Sequence, residues 1–213
     1  MDGPITEPEA AASTLYTVIE RRRSIRSYRA DPVPDALLER LLRAASMAPS
    51  PHNRQPWRFV LLRSAAASAL ACAMGERLAA DRRRDGDAAD LIARDVARSE
   101  ARLTGAPVLL LVCVTLEEMD AYPDAQRREA EFLMAVQGTA MAAQNLMLAA
   151  SAEGLATCWM CAPLFCPETV RRTLALPAAW QPQGLITLGY PAAAGKLRPR
   201  KPLGEILIER GAS

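Results

Sequence analysis

Histidine is nearly absent from this chain: His52 is the only one among 213 residues. A zinc or redox centre would have to grow from Cys158-x-x-Cys161, and no second ligand pair at metal spacing accompanies it, which argues against a metal site. The five cysteines include Cys113 within an apolar run, so they read as packed, reduced thiols of a reducing compartment. Charge excess is missing as well. The formal net charge of +2 is too small for the footprint of a nucleic-acid binder. No apolar run approaches the roughly 20 residues that span a bilayer, and Met1-Asp2-Gly3-Pro4-Ile5-Thr6-Glu7-Pro8 has neither the basic start nor the apolar core of a signal peptide. The expectation is a cytoplasmic protein without nucleic-acid or membrane partners, with residues 1–12 a flexible tail and residues 13–213 one domain.

What the chain does have is apolar material for a full core, 50% of its residues, and two unusual local compositions. The first is Ala48-Pro49-Ser50-Pro51-His52-Asn53-Arg54-Gln55-Pro56-Trp57-Arg58-Phe59, which holds three prolines, the histidine, two amides and two aromatics. Prolines at this density remove backbone donors and push the residues before them into extended conformations. That excludes a helix and predicts a rigid loop entering a strand at Phe59 to Leu62. A stiff loop bearing Ser50, His52, Asn53 and Gln55 is a place to hold polar groups towards a ligand. The second is arginine, clustered at Arg21 to Arg26 and at Arg198 to Lys201. Guanidinium forks bind phosphate oxygens bidentately, and Ser24 adds a hydroxyl and a backbone amide, so a small anion is implied. A solvated charge run is the plainer alternative.

Apolar residues at helical spacing from Leu15 to Ile19 predict a helix ending on the first basic cluster, where arginines suit the helix dipole. The turn Asp31-Pro32-Val33-Pro34-Asp35 precedes a buried helix carrying Leu37, Leu38, Leu41, Leu42 and Ala45. Residues 70–103 form two amphipathic helices broken at Gly86, either a weakly anchored cover over a site or an ordinary peripheral pair. Val108 to Val114 is apolar throughout, a mid-sheet strand buried on both faces. One long helix is expected from Arg127 to Glu153, ending at Gly154, with Gly138 and many alanines allowing close approach as a core helix or a dimer seam. Strands or apolar segments follow at Leu155 to Met160, Gln183 to Pro191 and Leu203 to Ile208.

Three motifs in this order, Arg22-Arg23-Ser24-Ile25-Arg26, Asn53-x-Gln55-Pro56-Trp57-x-Phe59, and Gly189-Tyr190-Pro191 with Arg198-Pro199-Arg200-Lys201-Pro202-Leu203, resemble the FMN-dependent nitroreductase family. The resemblance runs over about Leu15 to Glu209. It implies an α+β, three-layer fold with a central, mostly antiparallel sheet wrapped by helices, and a homodimer with FMN at its interface. It further implies hydride transfer from NAD(P)H or another reduced donor, through FMN, to a small organic acceptor. By position, Arg22, Arg23, Ser24 and Arg26 would meet the FMN phosphate and flavin edge, with Arg198 and Arg200 completing the phosphate pocket. Ser50, Pro51, His52, Asn53 and Gln55 would line the ribityl chain and ring, Met160, Cys161 and Ala162 would pass the flavin N5, and His52 is a candidate proton donor. Trp57 is expected in the core.

A narrower similarity, to the C-terminal reductase domain of bifunctional coenzyme F-420:glutamate ligases, rests on Ala48-Pro49-x-Pro51-His52, Tyr122-Pro123-Asp124-Ala125 with Arg127, Gly154-Leu155-Ala156-x-Cys158-Trp159 and Leu176-Pro177-x-x-Trp180-x-Pro182. It implies a role in coenzyme F-420 biosynthesis, the acceptor being a dehydro precursor of a deazaflavin cofactor. The alternatives are a general NAD(P)H-dependent nitro, quinone or ene reductase and, from another class, a non-catalytic flavin-binding protein.

Overall fold

A computed structural model describes residues 8–211. Its centre is Val108–Val114 (β2), seven residues that are all buried. Strand Trp57–Leu62 (β1) pairs antiparallel on one side of it, and Gln181–Gly189 (β4) pairs antiparallel on the other. Ala156–Met160 (β3) closes the far edge antiparallel to β4, which gives the order β1-β2-β4-β3. Successive side chains of a strand point to opposite faces. The uninterrupted Val/Leu run of β2 therefore needs apolar cover on both, and the chain supplies it.

On one face Val108, Leu110 and Val112 of β2 with Ile186 and Leu188 of β4 join Leu37, Leu38, Leu41 and Ala45 of helix Asp35–Ser46 (α2) and Ala142, Ala143, Leu146 and Ala150 of helix Ala125–Ala152 (α5). The small residues of α5 bring its backbone close to α2 and the sheet, so it is a core helix. On the other face Leu109, Leu111, Cys113 and Leu185 meet Leu70, Ala71 and Met74 of helix Ser64–Arg84 (α3), Leu103 of helix Ala89–Thr104 (α4) and Val170 of helix Pro167–Thr173 (α6). This is the three-layer α+β arrangement. Fully burying a leucine or valine contributes about 1.5–3 kcal/mol, so β2 is the main anchor of both layers.

Several expectations shift. Helix Pro8–Arg21 (α1) takes in residues 8–12, which were expected in the tail, while residues 1–7 lie outside the described residues. The 70–103 segment is not a loosely held cover. Leu70 and Leu103, at its two ends, are core residues with 0% and 2% exposure, and Ile92 is buried as well. Ala71, Met74 and Ala79 are buried beside them, while Leu78, Leu91 and Val96 are half-buried. Gly86, at φ 83, turns the chain between α3 and α4 as the break suggested. Leu203 to Ile208 forms no strand. Leu203–Glu205 is a single 3-10 turn, and Leu203, Ile206, Leu207 and Ile208 are exposed. Of the cysteines expected to be packed, Cys72 and Cys161 are exposed.

Candidate functional site

The first basic cluster leaves α1 along the free edge of the sheet. Ser24 forms a parallel bridge with Thr157, at the start of β3, and the Ile25 amide donates to the Thr157 carbonyl at 3.1 Å. Tyr28 then pins the segment down. Its hydroxyl lies 2.5 Å from the Ile25 carbonyl and 2.6 Å from Thr187 Oγ1. Burial pushes the Tyr28 phenol up to about 12, with the Thr187 hydrogen bond opposing, so it stays protonated and donates one hydrogen bond at any physiological pH. The Arg29 guanidinium lies 5.2 Å from the Tyr190 ring centroid, at the point where the second arm, Pro191 onwards, leaves β4.

That second arm folds back over the first. At Gly195 an added Cβ would stand 2.4 Å from Cβ and 2.8 Å from Cγ of Arg23, so only glycine lets the arms approach this closely. Between them lies a cavity of about 560 Å³ lined by Arg22, Arg23, Ser24, Arg26, Lys196, Arg198 and Arg200 among others. The two arginine clusters, far apart in sequence, therefore form one cleft. Arg22 and Arg23 are half-buried at its floor, and Arg26, Lys196, Arg198 and Arg200 are exposed around its mouth. Among the described residues no carboxylate lines it. The field reaches beneath it: burial raises the thiol of Cys158 in β3, with Arg26, Arg102 and Arg22 pulling the other way.

A phosphomonoester fits this donor set, since it carries about −2 charge and wants several charge-assisted donors. The volume lies within the roughly 300–1,000 Å³ usual for small-molecule sites.

The Pro-rich loop is not an α-helix, as its composition requires, and it carries backbone geometry that its composition hides. His52, Asn53 and Gln55 sit at φ 47, 56 and 48, a left-handed region that non-glycine residues seldom occupy and that recurs at functional sites. The Gln55 amide donates to Ser50 Oγ at 3.0 Å and closes the turn. Ser50 rests against Gly138 of α5, 3.5 Å from where a Cβ would be. Pro51–Asn53 is a 3-10 turn. Trp57 is in the core, 7% exposed.

None of Ser50, Pro51, His52, Asn53 and Gln55 lines the basic cleft. The loop enters the sheet where Trp57 pairs with Val114, whereas Ser24 bridges Thr157 near the opposite end, where Ala156 pairs with Gly189. The length of β2, about 20 Å at ~3.4 Å per residue, lies between those ends. Met160, Cys161 and Ala162 do not line the cleft either, but they follow it along the same edge of β3. There the Trp159 indole donates to Cys161 Sγ at 3.0 Å, and the ring lies so close to Gly184 that a Cβ would fall 2.3 Å from it. Tyr28, Gly195 and Lys196 were not anticipated. Tyr28 was legible only as one more residue of a basic run, and Gly195 only as a turn residue in Ala192-Ala193-Ala194-Gly195.

A family model described as the Nitroreductase family matches residues 19–190. The chain is 32% identical over 218 residues to a protein named NADH dehydrogenase from Thermus thermophilus, covering 91% of this chain and 95% of that one. A crystal structure from Desulfovibrio desulfuricans, of a protein provisionally named a nitroreductase and in complex with FMN, is 28% identical with TM-score 0.72 and covers 98% of this chain and 100% of its own. A variant of the FMN- and NADPH-dependent nitroreductase NfnB from Sphigopyxis sp. strain HMH is 25% identical with TM-score 0.73, covering 93% and 99%.

Proposed function

The chain belongs to the nitroreductase family, and from that premise we propose that it is an FMN-dependent oxidoreductase, active as a homodimer, that takes hydride from a reduced nicotinamide nucleotide and delivers it to a small organic acceptor. The observation that carries this is the union of two distant arginine clusters in one cleft that, among the described residues, no carboxylate lines. When bound, FMN supplies the hydride chemistry, and the protein supplies position and electrostatics.

Arg22 and Arg23, at the floor, would hold the phosphate with Ser24, and Arg198 and Arg200 would close over it. Arg26 would sit towards the flavin edge. The edge of β3 leads from there to Met160, Cys161 and Ala162, of which Cys161 or Ala162 would present a backbone amide to the ring. The loop Ser50, Pro51, His52, Asn53 and Gln55 is the remaining wall, and its distance from the cleft supports a second copy as its source. The apolar residues left in water support the same reading: Leu15, Tyr16 and Ile19 of α1, and Leu203, Ile206, Leu207 and Ile208 of the last arm. Isolated exposed apolar residues are ordinary, but clusters of them mark interfaces. His52, held at φ 47, would move a proton at the acceptor.

For the acceptor, the general nitro, quinone or ene reductase reading is favoured. Most residues of the narrower F-420-pathway similarity have architectural work. Asp124 accepts from the Arg127 amide at 2.9 Å as the N-cap of α5, Gly154 at φ 74 follows the end of that helix, and the Trp180 amide closes a turn on the Pro177 carbonyl at 3.0 Å. Only Pro51-His52 lies in a candidate site wall, and it keeps the dehydro-deazaflavin precursor as the second acceptor to test. Steady-state turnover of the FMN-loaded protein with NADPH, comparing nitrofurazone with a dehydro-deazaflavin acceptor, separates the two. Turnover of nitrofurazone alone is expected, dominance of the second acceptor would reverse the assignment, and turnover of neither with flavin bound would leave a non-catalytic flavin binder.

A further inference from the structure

Several arginines of this protein are matched by carboxylates. Arg29 meets Asp31 at 2.6 Å, Arg40 meets Glu153 at 3.2 Å, Arg54 meets Asp120 at 2.8 Å and Arg82 meets Asp87 at 2.6 Å. The cleft gathers cations that are not. Among the described residues, Arg22, Arg23, Arg26, Lys196, Arg198 and Arg200 line it together, and none of the six forms an ion pair. Arg23 spends one guanidinium nitrogen on backbone carbonyls, those of Glu20 and Arg22.

One phosphomonoester removes about two of these six positive charges. A residue of about four remains within a cavity roughly 10 Å across, about one Debye length at physiological salt, so the surplus is felt across the cleft and most strongly at low ionic strength. The surplus is arranged, too. Arg22 and Arg23 are half-buried, as suits a fork that would grip phosphate, and the other cations are exposed, with Lys196 in the irregular segment between Gly195 and Arg198. A lysine ammonium is a flexible point charge that adapts to different anions.

We propose that the mouth of the cleft is a second anionic subsite, centred on Lys196, that takes a phosphate or carboxylate carried by the redox partner of the flavin. This rests on the flavin-phosphate reading of the floor. Neutral acceptors of the same size bind without that contact. Two partners can carry the group, the nicotinamide nucleotide through a 2′-phosphate and the acceptor through an acid.

The test uses the FMN-loaded protein, with flavin occupancy first read from its absorption spectrum, so that failure of the flavin reading appears there and nowhere else. One arm compares NADPH with NADH in rapid-mixing reduction of the flavin. The other compares 4-nitrophenylacetate with 4-nitrophenylacetamide, in which a methylene insulates the nitro group from the charge. We expect at least a tenfold preference in kcat/KM for the anion in one arm at low ionic strength, and the arm that shows it identifies the partner. In Lys196→Gln, compared at matched flavin occupancy, that preference falls to near unity. Preference below twofold in both arms, or a preference untouched by Lys196→Gln, overturns the proposal.

Discussion

The contact that shapes the cleft can be tested at a single atom. In Gly195→Ala the new Cβ would lie 2.4 Å from Arg23 Cβ, 2.8 Å from Arg23 Cγ and 3.1 Å from Ile25 Cγ1. Carbon atoms rest at about 3.5–4.0 Å, so the two arms must part by about 1 Å. Arg23 Cβ is fixed to its backbone and cannot swing aside as a side-chain tip would. A charge-assisted hydrogen bond stretched by that much is lost, at about 1.5–3 kcal/mol each. One lost contact to the phosphate therefore weakens FMN binding roughly 10- to 150-fold. The arms are surface segments, so the flavin-free protein should keep its thermal midpoint within about 4 °C. The assay is titration of flavin-free protein with FMN, followed by flavin fluorescence. Gly204→Ala serves as control, since nothing lies within 4 Å of its Cβ position. FMN affinity within twofold of the parent in Gly195→Ala would refute the claim that the two arms grip one phosphate.

Tyr28→Phe removes the hydroxyl that holds Ile25 and Thr187, leaves the Ile25 carbonyl without that donor, and should cost about 1–2 kcal/mol, seen as a thermal midpoint lower by about 2–8 °C together with weaker FMN retention; an unchanged midpoint would show that the anchor is idle. Gly184→Ala places a Cβ 2.3 Å from the Trp159 ring, so the indole must leave its seat. Tryptophan emission should move to the red, and Cys161, freed from its 3.0 Å indole contact, should alkylate at a different rate; parental values for both would contradict the packing described. The Asp124 carboxyl is held below its usual 3.8, first by the Arg127 backbone amide and then by its guanidinium. A depressed folded value means stability that is complete above the unfolded value and is lost as pH falls through the folded one. Asp124→Asn, which can still accept the amide, should therefore flatten thermal stability against pH below about 4, and an acid limb identical to the parent's would rule that contribution out.

The architecture was largely legible in the sequence because it rests on periodicity. Val108 to Val114 could only be a strand buried on both faces, and the alanine-rich run ending at Gly154 could only be a long, closely packed helix. The 70–103 segment was left open between a cover and a peripheral pair because alanine carries little hydrophobic signal, yet Ala71 and Ala79, with Ala67 just before them, are buried and make α3 a layer of the core. Leu203 to Ile208 misled in the opposite direction, since apolar content alone does not supply a strand with a partner. In the site, composition identified both arginine clusters, but nothing local shows that a tyrosine two residues past Arg26 would tie the first to β4, or that a glycine would seat the second against it. The strain at His52, Asn53 and Gln55 was invisible for a simpler reason: positive φ is read from glycine, and these positions have side chains.

The central claim is that Arg22, Arg23, Arg198 and Arg200 grip the phosphate of a flavin mononucleotide. Binding of FMN and of riboflavin to the flavin-free protein tests it most directly, because the two ligands differ only in that phosphate. The account predicts that FMN binds at least 100-fold more tightly, the worth of about 3 kcal/mol, and that the margin collapses in Arg22→Ala with Arg200→Ala. Equal affinity for the two flavins would contradict it.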